Sequence, residues 1–187
     1  MILLKLYNIL KSIKKEYTME KDTLKSNIFY ICKDDSVFIK LINRLTALYS
    51  VSFKIFIKNI FINNNNKINK LYIDLSETKY LDSTFMGVLI YIDNKSNEYN
   101  KSFKIINSSK EALQNLQSLG LEKILKIEYR EEKLQKSDMK EYFCLNAHKN
   151  TIFNSILKSH ILLSSLNRNN KKEFCTLIKR IKKENNN

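Results

Sequence analysis

The sequence predicts an α/β domain built on a mixed, largely parallel β-sheet with packed helices, followed by a C-terminal helical extension. Three observations carry this reading. Short β-type runs alternate with helical stripes between residues 28 and 129. Only four residues separate the first two β-type runs, and beyond Glu131 the β signals stop while helical stripes continue.

The first two runs are Ile28-Phe29-Tyr30-Ile31-Cys32 and Val37-Phe38-Ile39-Lys40-Leu41. Lys33-Asp34-Asp35-Ser36 between them has turn chemistry and is too short for a crossover helix, so the pair forms an antiparallel hairpin. Ser50 can cap the next helix, whose stripe Phe53, Phe56, Ile57, Ile60 and Phe61 steps by three and four as a core-facing face requires. Asn63-Asn64-Asn65-Asn66 ends it as a solvated loop. Leu71-Tyr72-Ile73-Asp74-Leu75 reads as a buried strand. After a short polar link, Asp82-Ser83-Thr84 opens a helix carrying Phe85, Val88, Leu89 and Ile92. A strand at residues 103–106, a helix from Ser109 to Leu119 and a strand at residues 125–129 complete the order. In that helix Leu113, Leu116 and Leu119 point inward, and Gly120 forms the C-terminal cap. The resulting order, β-β-α-β-α-β-α-β, implies right-handed crossovers between parallel strands.

Residues 25–132 suffice for one such domain. Residues 1–24 form an amphipathic N-terminal extension placed outside the core, and Met19-Glu20 offers an alternative start. Residues 133–187 carry two further stripes, Ile152, Phe153, Ile156, Leu157 and Ile161, then Phe174, Leu177, Ile178 and Ile181, with a bend at Asn167-Arg168-Asn169-Asn170. The second stripe is backed by Lys171, Lys172, Lys179, Lys182 and Lys183. A helix of this length is marginal alone in water, so the extension is expected to dock, by hairpin packing or on a partner, rather than trail as a disordered tail.

Composition narrows the function. The 187 residues hold 33 Lys+Arg against 19 Asp+Glu, a formal charge of +14, which raises the alternative of a basic nucleic-acid-binding protein. The lysines are scattered, however, and only Arg44, Arg130, Arg168 and Arg180 supply guanidinium groups, so no specific nucleic-acid partner is expected. Over-use of Lys, Asn, Ile, Phe and Tyr with scarce Gly and Pro fits the bias of an AT-rich coding sequence. No apolar run is long enough for a transmembrane span, and the lysine-interrupted start lacks a signal cleavage site, so an intracellular, cytoplasmic protein is expected. Cys32, Cys144 and Cys175 are odd in number and far apart, which points to reduced, partly buried thiols instead of disulfides or zinc. His148 and His160, twelve apart, lack metal-ligand spacing and read as ordinary helix-surface or helix-interface histidines. Gly87 and Gly120 are the only glycines, so no glycine-rich phosphate cradle exists. No catalytic residue, metal or cofactor is indicated, and an enzyme is not expected.

One segment stands apart: Asp74-Leu75-Ser76, then Asp82-Ser83-Thr84-Phe85-Met86-Gly87-Val88-Leu89. It resembles the signature of STAS domains of the anti-sigma factor antagonist type, where a strand ends in Asp-Leu-Ser, a turn follows, and Asp-Ser-Ser-Gly-x-Gly-x-x-Leu opens the next helix. Asn43-Arg44-Leu45-Thr46-Ala47 is similar to the family's turn after the second strand, with Asn43 in place of a glycine. The resemblance spans about residues 28–130. It implies that Ser83 is a phosphorylated serine, Asp82 the acidic residue before it and Asp74 the strand-end aspartate. Thr84 is a minor competitor for the phosphate, and Phe85 a bulky neighbour in place of glycine that alters docking. Taken alone, Asp74 reads equally as a turn former and as an acidic contact near Ser83. The competing account of Ser83 is helix capping, since any helix N-terminus favours Asp-Ser-Thr. The function implied is a non-enzymatic, phosphorylation-controlled binding switch that captures an anti-sigma factor or related serine kinase while Ser83 is unmodified and is reset by a metal-dependent serine phosphatase. The alternative is a STAS scaffold within a signalling or lipid-transport complex, without phosphate exchange.

Overall fold

The computed structural model describes residues 27–63, 67–131, 135–144 and 147–185. The expected N-terminal extension over residues 1–24 and most of the asparagine loop lie outside the described residues. β1 (Ile28–Lys33) and β2 (Ser36–Leu45) form the expected antiparallel hairpin, with Ile28 opposite Leu41 and Asp34 at φ 51° in the turn. α1 (Ala47–Ile57) follows and widens into a π-helical turn, Lys58–Ile62. Then come β3 (Lys70–Leu81), α2 (Ser83–Glu98), β4 (Ser102–Ile106), α3 (Lys110–Ser118) and β5 (Ile127–Glu128). A two-residue strand β6 (Lys140–Glu141), α4 (Lys149–Ser164) and α5 (Arg168–Asn185) end the chain. The sheet order is β5-β4-β3-β2-β1-β6, parallel from β2 to β5 and antiparallel at β1 and β6.

Side-chain alternation gives the sheet one apolar face. Val37 and Ile39 lie level with Leu71 and Ile73, and these with Phe103 and Ile105, all buried beneath the helices. The opposite face places Phe38 against Tyr72, with ring centroids 4.8 Å apart, and Lys40 beside Asp74. Lys101 anchors the connections at one end, its buried ammonium donating to the carbonyls of Phe61 at 2.6 Å and Ile68 at 2.8 Å.

Several sequence expectations are corrected. Ser50 does not cap α1. Thr46 occupies the N-cap position, and Ser50 sits one turn inside with its hydroxyl on the Ala47 carbonyl. Residues 76–81, expected as a polar link, continue β3. Thr78 Oγ1 donates to the Leu41 carbonyl, and the Leu81 N–H donates to Asn115 Oδ1 of α3, so the strand keeps hydrogen-bond partners after β4 has ended. The strand expected at residues 125–129 shrinks to Ile127–Glu128, and β6 appears where no β signal was read. In α3 the buried positions are Ala112 and Leu116 rather than Leu113, although Gly120 takes the left-handed cap at φ 72° as expected. Asn43, at φ 58°, adopts the left-handed conformation its position demands while remaining within β2. Cys32 and Cys175 are exposed and only Cys144 is half-buried; all three are free.

The C-terminal extension forms a helical hairpin docked on the domain. Asn167 caps α5, with its Oδ1 accepting the Asn170 N–H at 2.8 Å, and buried Asn170 donates to the Leu119 carbonyl at the end of α3. The inward face of α4 is rotated from the expected stripe. Ser155, Ser159 and His160 are buried alongside Ile152, Ile156 and Leu163, while Ile161 is exposed. Close approach explains the rotation. A Cβ built on Gly87 of α2 would stand 2.5 Å from Ser159 Cβ and 2.9 Å from Ser159 Cα, so these two helices meet where neither carries bulk. Covered by the sheet on one side and by α1 and α4 on others, α2 is buried continuously from Thr84 to Ile90.

Gly87→Ala therefore forces α2 and α4 apart. Alanine's better helix propensity, up to ~1 kcal/mol, is outweighed by overpacking of about 1–3 kcal/mol. A net loss of stability is expected in urea denaturation, together with faster amide exchange in residues 149–185. Unchanged exchange there would contradict the contact.

Candidate functional site

β2 and β3 end side by side, with Leu45 level with Leu81, so the helices that follow them start at the same edge of the sheet. Asp82 holds both starts. Its Oδ1 accepts the Phe85 N–H of α2 at 2.7 Å and its Oδ2 accepts the Ala47 N–H of α1 at 2.8 Å. Its own N–H donates to the Leu45 carbonyl at 3.1 Å. A carboxylate between two helix N-termini is favoured by the orphan N–H groups and by both macrodipoles. It also explains why Thr46 caps nothing with its side chain.

With the cap supplied by Asp82, the hydroxyl of Ser83 is directed elsewhere. Ser83 is the half-buried first residue of α2, and its Oγ lies 2.9 Å from Nε2 of His160 on α4. His160 is fully buried, and its ring stacks on Phe174 of α5 at 4.9 Å. Burial pulls its pKa down to about 4, so the imidazole is neutral at pH 7. Nδ1 has no hydrogen-bond partner among the described residues. A buried lone pair is easier to leave unpaired than a buried N–H, which assigns the proton to Nε2 and makes it the donor to Ser83 Oγ.

The remaining expected site residues do not gather around Ser83. Thr84 is fully buried with its hydroxyl unpartnered among the described residues, and Phe85 is fully buried, its ring stacked 5.2 Å from Phe53. The aromatic residue expected as a bulky neighbour of the acceptor thus fills the core. Asp74 lies in the middle of β3, eight residues before Asp82 on a continuous strand, on the order of 20 Å away. Its Oδ1 accepts the Ser76 N–H at 2.8 Å, and Lys40 stands 4.0 Å from Oδ2 while pairing with Glu77 at 3.0 Å. Asp74 is thus neither at a strand end, since β3 runs on to Leu81, nor an acidic contact beside Ser83.

Sequence reasoning passed over His160. Its spacing from His148 speaks against a metal pair, but a long-range contact to Ser83 has no local signal. The trace that was available is the row Ser155, Ser159 and His160 on one face of α4, polar residues where a plain apolar stripe would suffice. Cys144 offers no activated nucleophile, since burial pushes its thiol up to about 11. Among the described residues no group of three His, Cys, Asp or Glu side chains could hold a metal ion, and no helix is long and apolar enough to cross a membrane.

The STAS domain family model matches residues 9–134, well over half of the chain, and the chain belongs to that family. The match begins inside the segment expected to lie outside the core and stops before α4, so the hairpin falls beyond the matched unit. No curated protein sequence matches. Solved structures similar to this chain include the anti-sigma factor antagonist SpoIIAA in its unphosphorylated form, at 13% identity and TM-score 0.49, covering 56% of this chain and 87% of that one. A Thermotoga maritima protein proposed to be an anti-sigma factor antagonist is similar at 25% identity and TM-score 0.49, covering 54% and 84%. The Bacillus cell fate determinant SpoIIAA in its phosphorylated form is similar at 13% identity and TM-score 0.46, covering 56% and 90%.

Two measurements probe this geometry. Asp82→Ala removes both caps and leaves buried N–H groups unpaired, so a loss of about 2–4 kcal/mol is expected from the denaturant midpoint at constant slope, with Asp82→Asn losing less. His160 binds a proton near its ordinary pKa of 6.5 when unfolded but only near 4 when folded. Between these values the unfolded state holds more protons, so stability is fully present above about 6.5 and falls as the pH drops towards 4, by up to about 3 kcal/mol. Comparing unfolding at pH 7 and pH 5 for wild type and His160→Gln isolates this contribution. Identical pH slopes for the two chains would remove it.

Proposed function

We propose that the chain is a phosphorylation-controlled binding module in which unmodified Ser83 forms part of the surface that captures an anti-sigma factor or related serine kinase. The observation that carries this reading is the division of labour at the α2 start. Asp82 supplies the cap through Oδ1, so Ser83 is not needed for capping and its hydroxyl turns to His160 instead. That removes capping as the explanation for a serine at this position. Family membership supports the same reading, because Asp82-Ser83-Thr84 resembles the motif that opens this helix in STAS domains of the anti-sigma factor antagonist type.

The chemistry belongs to the partners. The kinase brings a nucleoside triphosphate; Ser83 Oγ forms a bond to the γ-phosphorus as the bridging P–O bond to the diphosphate breaks, and the hydroxyl proton leaves to a base of the kinase. A metal-dependent serine phosphatase reverses the mark by hydrolysis, with water supplying the oxygen that departs as inorganic phosphate. Modification adds a charge of about −1.5 to −2 beside the Asp82 carboxylate. The N-terminus of α2 tolerates it, gaining a few tenths to ~1 kcal/mol from the dipole. A partner surface that must desolvate the same group does not, and each 1.4 kcal/mol of cost is about tenfold in affinity.

Intact-mass analysis of the chain from its own cells is expected to show an added phosphoryl group that Ser83→Ala abolishes. Affinity for the partner recovered by pull-down is expected to survive Ser83→Ala and to fall at least about tenfold with Ser83→Asp. Equal affinity of all three chains, with no phosphorylated mass, would leave a scaffold without phosphate exchange.

A further inference from the structure

We propose that the α4–α5 hairpin is a built-in cover for Ser83, and that a phosphate on Ser83 and the docked hairpin are competing states. The hairpin holds the unmodified serine half-buried, with part of it still open to a partner, and is released from the phosphorylated one. This rests on the reading of Ser83 as the acceptor and adds what the phosphate displaces.

The Ser83 hydroxyl touches the hairpin directly. His160 Nε2 lies 2.9 Å from Oγ, and the same imidazole stacks on Phe174, so one contact from Ser83 engages both helices of the hairpin. One turn further along α2, Gly87 meets Ser159 with no room for a single added carbon. The cover is thus seated tightly on the first turns of α2 while lying beyond the residues the family model matches.

Phosphate on Oγ leaves the docked state two arrangements. Turned towards α4, a dianion finds at most the one Nε2–H and is otherwise desolvated against a fully buried imidazole. Turned to solvent, it takes Oγ away and leaves both imidazole nitrogens buried without a partner, since Nδ1 already has none among the described residues. Both raise the free energy of the docked hairpin. Neither burdens the undocked one, in which the phosphate is hydrated and the imidazole is free to meet water. A kinase that reaches Oγ parts the same contact.

The test is the full chain with phosphoserine installed genetically at position 83, compared with the unmodified chain and Ser83→Ala by hydrogen exchange and mass spectrometry. Exchange in residues 149–185 is expected to quicken at least about tenfold in the phosphoserine chain, with β3 and β4 unchanged. Ser83→Ala, which strips His160 Nε2 of its partner but adds no charge or bulk, is expected to fall between wild type and the phosphoserine chain. Equal or slower exchange of the hairpin in the phosphoserine chain would overturn the proposal. So would a rise shared equally by β3 and β4, which would mean that the whole domain opens. Because the phosphate is installed without a kinase, failure here is distinct from finding that cells leave Ser83 unmodified.

Discussion

The Asp82 carboxylate is the constraint on which the rest of the structure depends. Two parallel strands that end level with one another release two helices at one edge, and each helix begins with unpaired N–H groups pointing at the same small volume. A single residue with two acceptor oxygens satisfies one donor from each at 2.7 and 2.8 Å. Neutral capping residues such as Ser or Thr offer one oxygen and could serve only one helix. The charge also answers two macrodipoles together, which makes an otherwise costly buried carboxylate favourable. Once Asp82 is so fixed, Ser83 is fixed as the first residue of α2, and the direction of its hydroxyl follows from the helix.

The second constraint is distance. α2 is apolar over most of its surface for its first two turns, so the sheet alone cannot cover it. The hairpin covers the remainder, and it does so through small residues: Gly87 against Ser159, and the hydroxyls of Ser50 and Ser155 at 2.8 Å. Close axes bring polar atoms of α4 within reach of α1 and α2, and these then need partners. Ser155 finds Ser50 and Lys54. His160 finds Ser83. The polarity of this interface is thus a consequence of its tightness.

How much of this was legible depended on range. Patterns local in sequence were read well: the β1–β2 turn at Asp34, the left-handed Asn43 and Gly120, and the stripes Phe53-Phe56-Ile57 and Phe174-Leu177-Ile181 each reflect a period or a backbone preference carried by a few neighbouring residues. What failed was set by distant partners. Residues 76–81 carry polar side chains and look like a link, yet Leu41 and Asn115 supply the hydrogen bonds that keep them extended. Ile161 belongs to an apolar repeat, but the approach of Gly87 turned α4 so that serines face inward. Thr84 and Phe85 looked like surface neighbours of an acceptor because helix periodicity does not say how many sides of a helix will be covered. The Ser83–His160 contact joins residues 77 apart, and no local preference encodes it.

The two constraints assign different tolerances to charge at neighbouring residues. Negative charge at Asp82 is consumed inside the fold, held by N–H groups that cannot reorganise without moving two helices. Added negative charge at Ser83 cannot draw on the Phe85 and Ala47 N–H groups, because Asp82 already occupies them. It meets instead an imidazole whose burial holds it neutral. The same helix terminus therefore stabilises one anion as part of the domain and leaves the next to be decided by whatever lies over it. That cover is a hairpin whose Ile152, Ile156, Leu163, Phe174, Leu177 and Ile181 join the core of the domain, with polar contacts from His160 to Ser83 and from Asn170 to Leu119.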